Sequence, residues 1–291
     1  MPVRKRPSEF IIELCIRLSG FLVIAFVFLI FLFLLKDALS LFASHSVGSF
    51  LFGKNWLPVS DPASFGIMPL FLGSLYVTIA AIAISVPLGV GTAMFIAEVA
   101  PKSIKGVLKS LVEILAAIPS VVLGFIGIIW LGPFMRNTFH LSTGMCGLTG
   151  SLLLAFMALP TIISMSEDAL VGVPRSYREA ATGLGATRWQ TLWRIILPAA
   201  SSGIIAAVML GIGRVIGETM VVMMVTGNAP VMPTSILQPL RTLTATIAGE
   251  MGETVRGSEH YFALFAVGLI LFIITFIINI FAELCAHRNR K

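Results

Sequence analysis

Six runs of apolar residues, each long enough to cross a bilayer as a helix, constrain this chain more than any other feature. The first run, 18–35, contains no charged residue, and at about 1.5 Å per residue it nearly matches a hydrocarbon core of about 30 Å. Lipid offers no water to backbone groups, so such runs form helices. We therefore expect an all-α, polytopic membrane protein whose single transmembrane domain covers 1–291. The predicted spans are 18–35, 69–97, 111–131, 148–165, 199–226 and 261–284.

Composition agrees with a membrane location. Hydrophobic residues make up 57% of the 291 residues and charged residues 12%, which lies outside the range of soluble domains. The net charge of +6 could suggest a nucleic-acid partner, but the basic residues lie mostly in short segments between apolar runs, as orientation signals do. No small-residue cleavage pattern follows the first run, so we expect it to be retained rather than removed as a signal peptide.

The distribution of basic residues predicts the orientation of the chain. Six spans place both termini on one side, together with the loop 167–198, and that side carries fourteen basic residues against five on the other. The fourteen are Arg4, Lys5, Arg6, Arg17, Lys102, Lys105, Lys109, Arg175, Arg178, Arg188, Arg194, Arg288, Arg290 and Lys291, and the five are Lys36, Lys54, Arg136, Arg241 and Arg256. The positive-inside rule therefore predicts cytoplasmic termini.

A charged and aromatic segment, PRSYREAATGLGATRWQTLWRIILP at 174–198, separates spans four and five. Ser176 with Glu179, and Thr187 with Gln190, have capping-box spacing, which predicts two short helices. The sequence Gly-Leu-Gly at 183–185 lies between them, and a glycine there commonly adopts the left-handed conformation that ends a helix.

The same segment resembles the EAA loop of permease subunits of ATP-binding-cassette importers. Glu179, Ala180 and Ala181 are followed by Gly185 and, after nine intervening residues, by Ile-x-Leu-Pro at 195–198. The resemblance implies a cytoplasmic coupling helix that docks into a groove of an ATPase subunit. Its coupling residues would be Glu179, Ala180, Ala181 and Gly185. An ordinary solvated helical loop is the alternative. The proline at the end of the segment predicts a break before span five.

Span five alone carries charges deep in an apolar run. Arg214 and Glu218 are four residues apart, hence on one face of a helix, and a charge near mid-membrane costs about 3 kcal/mol or more. One interpretation is an internal salt bridge. The other is that Arg214 offers several donors to a passing oxyanion while Glu218 holds or releases the guanidinium. Glu113, near the start of span three, is a third candidate for the substrate pathway.

Three further patterns predict local structure. Gly213 and Gly217 form a G-x-x-x-G pair, which is typical of close helix packing in membranes. Pro119 predicts a kink in span three. Apolar residues at helical spacing in 234–251 predict an amphipathic helix at the outer surface, whose polar face could dock a solute-binding protein.

Motifs for catalysis are missing from the sequence. No G-x-x-x-x-G-K-[ST] nucleotide loop and no zinc-type histidine spacing occur. We therefore expect a permease, not an enzyme, with no catalytic residue, no metal site and no cofactor of its own. ATP and Mg would bind to a partner ATPase.

Three segments extend the resemblance to one family. VEILAAIPSVVLGFIG at 112–127, GLGATRWQTLWRIILP at 183–198 and MLGIGRVIGETMVVMMVTGN at 209–228 are similar to the phosphate-specific permeases of ATP-binding-cassette importers, and most similar to the C-type (PstC-type) subunit. GLILFIITFIINI in span six adds to this resemblance, which covers about two-thirds of the chain.

The resemblance implies a type I importer permease fold in a bacterial inner membrane. It also implies four classes of partner: a second permease (PstA-type), an ATPase dimer (PstB-type), a periplasmic phosphate-binding protein (PstS-type) and phosphate itself. Arg214 and Glu218 match the family's intramembrane Arg and Glu, which are associated with phosphate passage.

Two alternatives stay open at this point. The chain could serve an importer of another oxyanion, such as molybdate or sulfate, or of an organic solute. A less favoured alternative is a secondary transporter driven by an ion gradient, in which Arg214 and Glu218 relay protons. The EAA-like segment favours the ATP-driven interpretation, because a gradient-driven carrier needs no ATPase dock.

Overall fold

The computed structural model describes residues 7–288, which form helices and one short hairpin. The first seven helices are α1 (Pro7–Phe42), α2 (Val47–Phe52), α3 (Met68–Met94), α4 (Lys102–Ala116), α5 (Ser120–Ile126), α6 (Gly132–Phe139) and α7 (Gly147–Val171). They are followed by α8 (Arg175–Gly183), α9 (Arg188–Thr191), α10 (Leu197–Gly217), α11 (Met220–Val225), α12 (Leu243–Glu250) and α13 (Glu259–Arg288). The strands β1 (Trp56–Leu57) and β2 (Ser64–Phe65) pair antiparallel, with Trp56 opposite Phe65.

Six helices of the described chain are long and apolar enough to span a membrane, which confirms the predicted polytopic all-α fold. They cover Ile12–Phe42, Met68–Val99, Ser120–Phe139, Gly147–Val171, Arg188–Gly217 and Glu259–Phe281. Three of them contain a π-helical segment: Phe95–Val99 ends span two, whereas Gly127–Leu131 and Leu192–Ile196 each join two α-helices. Five of the basic residues in the charge count, Arg4, Lys5, Arg6, Arg290 and Lys291, lie outside the described residues.

Helix α7 is the centre of the bundle. In its most apolar 18-residue window 61% of the residues are buried, against 22–28% for spans two, three, five and six. Gly89 of α3 and Gly211 of α10 both lie against Ile162 of α7, where an added Cβ would come within 2.7 and 2.6 Å of its side chain. Glycine at these two positions therefore lets both neighbouring helices approach α7 closely.

A second apolar cluster joins α1 to α13 at the end of the bundle that carries the hairpin. Its buried members include Leu41, Trp56, Leu70 and Leu264. The most apolar window of span one is 0% buried. That surface is thus available to lipid or to another subunit.

Span three starts nine residues later than predicted. Helix α4 ends at Ala116, and the membrane helix begins at Ser120, so the predicted bounds 111–131 are wrong. Pro119 explains the break, because it has no N–H to donate and because its ring disfavours helical geometry at the preceding residue. The predicted kink is a complete interruption, and α4 is a separate amphipathic helix.

Span five differs from the prediction at both ends. The helix runs without interruption through Pro198, so the predicted break there is wrong. The preceding π-helical segment closes with a bond from Leu197 N–H to the Leu192 carbonyl, and this wider turn accommodates a residue that has no N–H. At its other end α10 stops at Gly217, and 218–226 form a turn followed by α11, whereas the prediction continued the span to 226.

The predicted amphipathic helix over 234–251 is also wrong for most of its length. Only α12, Leu243–Glu250, is helical, and Thr242 caps it by accepting a hydrogen bond from Ala245 N–H at 3.2 Å. Pro239 explains the loss, because proline cannot continue a helix through its interior. The preceding loop forms an isolated β-bridge between Gly227 and Leu240, and its Ile236 and Gln238 carbonyls accept hydrogen bonds from Leu148 N–H and Gly147 N–H at the start of α7.

Candidate functional site

Helix α8 carries the first half of the EAA-like segment. Only three residues, 172–174, separate it from α7. Pro174 occupies the N-cap and no side chain caps the helix, so the predicted capping box of Ser176 and Glu179 is wrong. The helix already begins at Arg175, which places Ser176 inside the first turn rather than at the cap.

The glycine turn after α8 has the geometry predicted for it. Gly185 has a φ of +79°, the left-handed region. Ala186 N–H donates to the Ala181 carbonyl and Gly185 N–H to the Thr182 carbonyl, both at 3.0 Å. This pair of bonds defines a Schellman motif with glycine at its left-handed position.

Helix α9 begins with the second predicted capping box, which is confirmed. Gln190 N–H donates to Thr187 Oγ1 at 3.3 Å, and Thr187 N–H donates to Gln190 Oε1 at 2.9 Å. The two reciprocal bonds satisfy N–H groups that have no partner within the helix. The chain therefore stops, turns and restarts as a helix within a few residues.

Helix α8 and the glycine turn that follows it, which together we call the α8 turn, present both polar and apolar side chains to solvent. Glu179, Ala180 and Gly185 are exposed, whereas Ala181 is buried beneath the helix. Leu184, at the tip, is 89% exposed, and Tyr177 is also exposed. The sequence analysis did not single out Leu184 or Tyr177. The pattern that could have found them is a large apolar or aromatic side chain within an otherwise polar segment. Exposed apolar side chains on such a projection are typical of a surface that binds another protein.

Arg178 joins α8 to two other elements. Its guanidinium donates to Glu98 Oε1 from Nη2 at 2.6 Å and from Nε at 3.2 Å. It also donates to the carbonyls of Val173, at 2.8 Å from Nη1, and Leu170, at 3.0 Å from Nη2. We call this set of contacts the Arg178 anchor. Sequence analysis counted Arg178 only as an orientation charge, because no spacing rule links it to a residue eighty positions away.

A second ionic cluster lies between α4 and the end of α7. Lys109 Nζ is 2.9 Å from Glu167 Oε2 and 3.1 Å from Asp168 Oδ1, and Lys105 Nζ is 3.5 Å from Glu167 Oε1. Glu167 is buried. The hydrogen bonds that Lys109 donates to Glu167, and then to Asp168, raise the pKa of Lys109 above its ordinary value of 10.5. The cluster fixes the polar side of α4 against α7.

Arg214 and Glu218 do not share a helical face, contrary to the spacing argument. Because α10 ends at Gly217, Glu218 has an extended conformation, and its Oε1 accepts hydrogen bonds from Met220 N–H at 3.0 Å and Val221 N–H at 3.2 Å. Arg214 is exposed and donates from Nη1 to Thr161 Oγ1 at 3.3 Å. Within the described residues no ion pair joins Arg214 to Glu218, so the simple internal salt bridge is wrong.

Two further predictions concern the surroundings of Arg214. Gly213 and Gly217 are exposed, and an added Cβ on either would meet nothing within 4 Å. Among the described residues, the G-x-x-x-G pair therefore does not pack one helix of this chain against another. Glu113 lies exposed on α4, outside the six spans, and no ion pair in the described part of the chain joins it to Arg214.

The opposite end of the bundle carries a network centred on Glu250. Its carboxylate accepts hydrogen bonds from Trp56 Nε1 at 3.1 and 3.2 Å, lies 2.8 Å from His260 Nε2 and pairs with Arg241. The network borders a cavity of about 470 Å³. It ties the hairpin, α12 and the start of α13 together.

Comparison with known proteins identifies the family. Residues 85–291 match the family model described as binding-protein-dependent transport system inner membrane component. A probable ABC transporter permease protein, YqgH, of Bacillus subtilis is 40% identical over 241 residues, 83% of this chain and 78% of that protein. The phosphate transport system permease protein PstC of Mesorhizobium japonicum is 39% identical over 249 residues, 79% of this chain and 75% of that protein.

Solved structures show the same fold at lower identity. A bacterial alginate ABC transporter, crystallised with an alginate pentasaccharide-bound periplasmic protein, contains a chain that superposes with a TM-score of 0.64. The superposition covers 98% of each chain at 16% identity. The similarity confirms the importer permease fold expected from the sequence.

Proposed function

This chain belongs to the family of binding-protein-dependent transport system inner membrane components, and on that premise we propose that it is the permease subunit of an ATP-driven phosphate importer. The observation that carries the choice of phosphate is its 39% identity over 249 residues to a permease named for phosphate transport. The exposed α8 turn supports ATP-driven coupling, because it offers a rigid projection to a separate ATPase.

The proposed path for phosphate runs along the exposed face of α10 that carries Arg214. A guanidinium has five N–H donors and suits an oxyanion. Thr161 is its one hydrogen-bond partner among the described residues, so most donors are free for a ligand. The neighbouring Gly213 and Gly217 leave that face open for a second permease to approach.

The two carboxylates have different proposed roles on this path. Glu218, held by the N–H groups that begin α11, would stand at the outer end of the Arg214 face. There its negative charge would repel a phosphate ion that the binding protein has not yet released into the path. We include Glu113 as a third residue, at the inner mouth, because it is exposed on α4 beside the α8 end of the bundle.

The remaining components follow from the same proposal. The α8 end and both termini face the cytoplasm, where the exposed Glu179, Ala180 and Gly185 contact a PstB-type ATPase dimer that binds ATP and Mg. Ala181, the fourth coupling residue expected from the sequence, is buried beneath α8 and supports this surface from inside. A PstA-type permease completes the path, and a PstS-type protein delivers phosphate from the other side. Closure of the ATPase dimer shifts the permease between inward-facing and outward-facing states because it binds one of them more tightly.

Uptake by proteoliposomes tests the proposal. Vesicles that contain both permeases and the ATPase, with the binding protein outside and ATP inside, should accumulate labelled phosphate and should not respond to a protonophore. Omission of ATP, or of the ATPase subunit, should abolish uptake. Uptake that a protonophore abolishes and that ignores ATP would instead favour the gradient-driven carrier.

A further inference from the structure

We propose that Arg178 is a positioning residue that locks the coupling helix α8 to the inner ends of spans two and four, so that the three elements move as one rigid body when the ATPase closes. This inference rests on the proposed function, since it concerns how the motion of an ATPase reaches the path. It assigns the transmission of that motion to one guanidinium whose hydrogen-bond partners among the described residues all belong to this chain.

The argument starts from the end of α7. The last carbonyls of a helix have no intrahelical partner, and a cation near them is favoured by the helix dipole. Arg178 donates to one of these carbonyls, that of Leu170, and to the carbonyl of Val173 in the connection that follows the helix. The side chain of one helix thus caps the helix before it, and the short connection 172–174 is bridged by hydrogen bonds as well as by the backbone.

The same guanidinium then reaches span two. Its two donors to Glu98 form charge-assisted hydrogen bonds, which are stronger than neutral ones. Both side chains are mostly buried, at 26% and 21% exposure, so water screens the pair less than it would at an open surface. The planar guanidinium of Arg178 presents N–H donors along its edges, which suits this role. A lysine ammonium cannot reproduce that arrangement.

Glu98 lies within the π-helical segment Phe95–Val99, which ends span two. The segment closes with a bond of 2.8 Å from Ala100 N–H to the Phe95 carbonyl, a wider turn than that of an α-helix. The carboxylate that pairs with Arg178 therefore comes from this wider turn at the inner end of the span.

An apolar cluster under the anchor makes the same connection. Ala93 of α3, Leu170 and Val173 at the end of α7, and Leu192 and Ile196 of the segment before α10 are buried together. Spans two, four and five therefore meet beneath α8, and the Arg178 anchor closes this junction on its polar side. A force on α8 reaches all three spans through it.

Two variants separate the positioning role of Arg178 from the effect of its charge. Arg178→Lys keeps the charge but loses the multiple donors, and Glu98→Gln keeps the shape but removes the charge from span two. Each should shift the equilibrium between the joined and the separated junction by about tenfold or more, as expected for loss of a charged hydrogen bond, and should thereby lower the number of phosphate ions transported per ATP hydrolysed. The ATPase should still co-purify. Lys102→Gln, an exposed charge change on α4, is the matched control and should keep the wild-type ratio.

A distance measurement tests whether α8 and span two move as one rigid body, and its result does not depend on which solute is transported. Spin labels at Ser176 on α8 and Ile79 on span two, in a background without the native cysteines, would be compared with and without ATP and vanadate. The labels bracket about 28 Å of helix between Ile79 and Glu98. The wild-type complex should give one narrow distance that is the same in both states, and both variants should broaden it.

The outcomes are distinguishable. A wild-type distance that changes between the two nucleotide states, variants as narrow as wild type, an unchanged transport ratio, or loss of ATPase from the variants would each overturn the role of Arg178. A wild-type complex that keeps the narrow distance but takes up no phosphate would overturn the proposed function and leave this inference standing.

Discussion

Replacement of Gly185 by valine isolates the backbone requirement of the coupling turn. The residue has a φ of +79° and nothing lies within 4 Å of an added Cβ, so no clash contributes to the effect. A non-glycine residue in the left-handed region costs about 1–2 kcal/mol, and a β-branched one sits at the upper end or above. If the ATPase binds the turn only in this conformation, its affinity should fall about 5- to 30-fold.

Gly183, two residues earlier, is the matched control. An added Cβ there also meets nothing within 4 Å, but the residue is the last of α8 and is not among the positive-φ glycines of the described chain. Gly183→Ala should therefore leave docking unchanged and stabilise the helix by up to about 1 kcal/mol. The assay is the dissociation constant of the purified permease pair for the ATPase, measured for wild type and both variants. Equal constants for Gly185→Val and Gly183→Ala would refute the requirement for the left-handed turn.

Three other substitutions have defined outcomes. Arg214→Ala should stop phosphate uptake while ATPase co-purification stays normal, because the exposed guanidinium has only Thr161 as a described partner; loss of assembly would indicate a structural role. Thr187→Ala should lower the free energy of unfolding by about 1 kcal/mol, as for loss of an N-cap, and an unchanged melting temperature would contradict the capping box. Lys109→Met should lower the melting temperature, because it leaves buried Glu167 with Lys105 alone at 3.5 Å. Since the pKa of Lys109 is raised above its ordinary value of 10.5, that deficit should be constant from about pH 7 to 9, where the lysine is charged in both the folded and the unfolded chain. It should shrink only as the pH rises through the raised pKa.

The sequence predicted what depends on local periodicity and on single-residue backbone chemistry. Six apolar runs correspond to six membrane helices because lipid leaves the backbone no other partner. The turn at Gly185 and the cap at Thr187 were predictable because each depends on residues within five positions.

Pro119 and Pro239 are local signals for the two helices that begin later than predicted, but the errors at Pro198 and Glu218 have a different cause. Pro198 and Glu218 were placed by assuming ideal α-helical geometry, and the structure inserts a π-helical segment before one and ends the helix before the other. The role of Arg178 depends on Glu98, eighty residues away. Tertiary contacts of that kind decide where helices widen, end and join, and no local pattern records them.

ATP hydrolysis by the reconstituted complex is the measurement that tests the central claim most directly. The binding protein would be supplied empty or loaded in turn with phosphate, sulfate or molybdate, and the rate of hydrolysis would be compared with that of the complex alone. The account predicts stimulation by the phosphate-loaded protein and by neither of the other two loaded forms. Stimulation by another anion would contradict the assignment of phosphate, and no stimulation by any of them would contradict ATP-driven import itself.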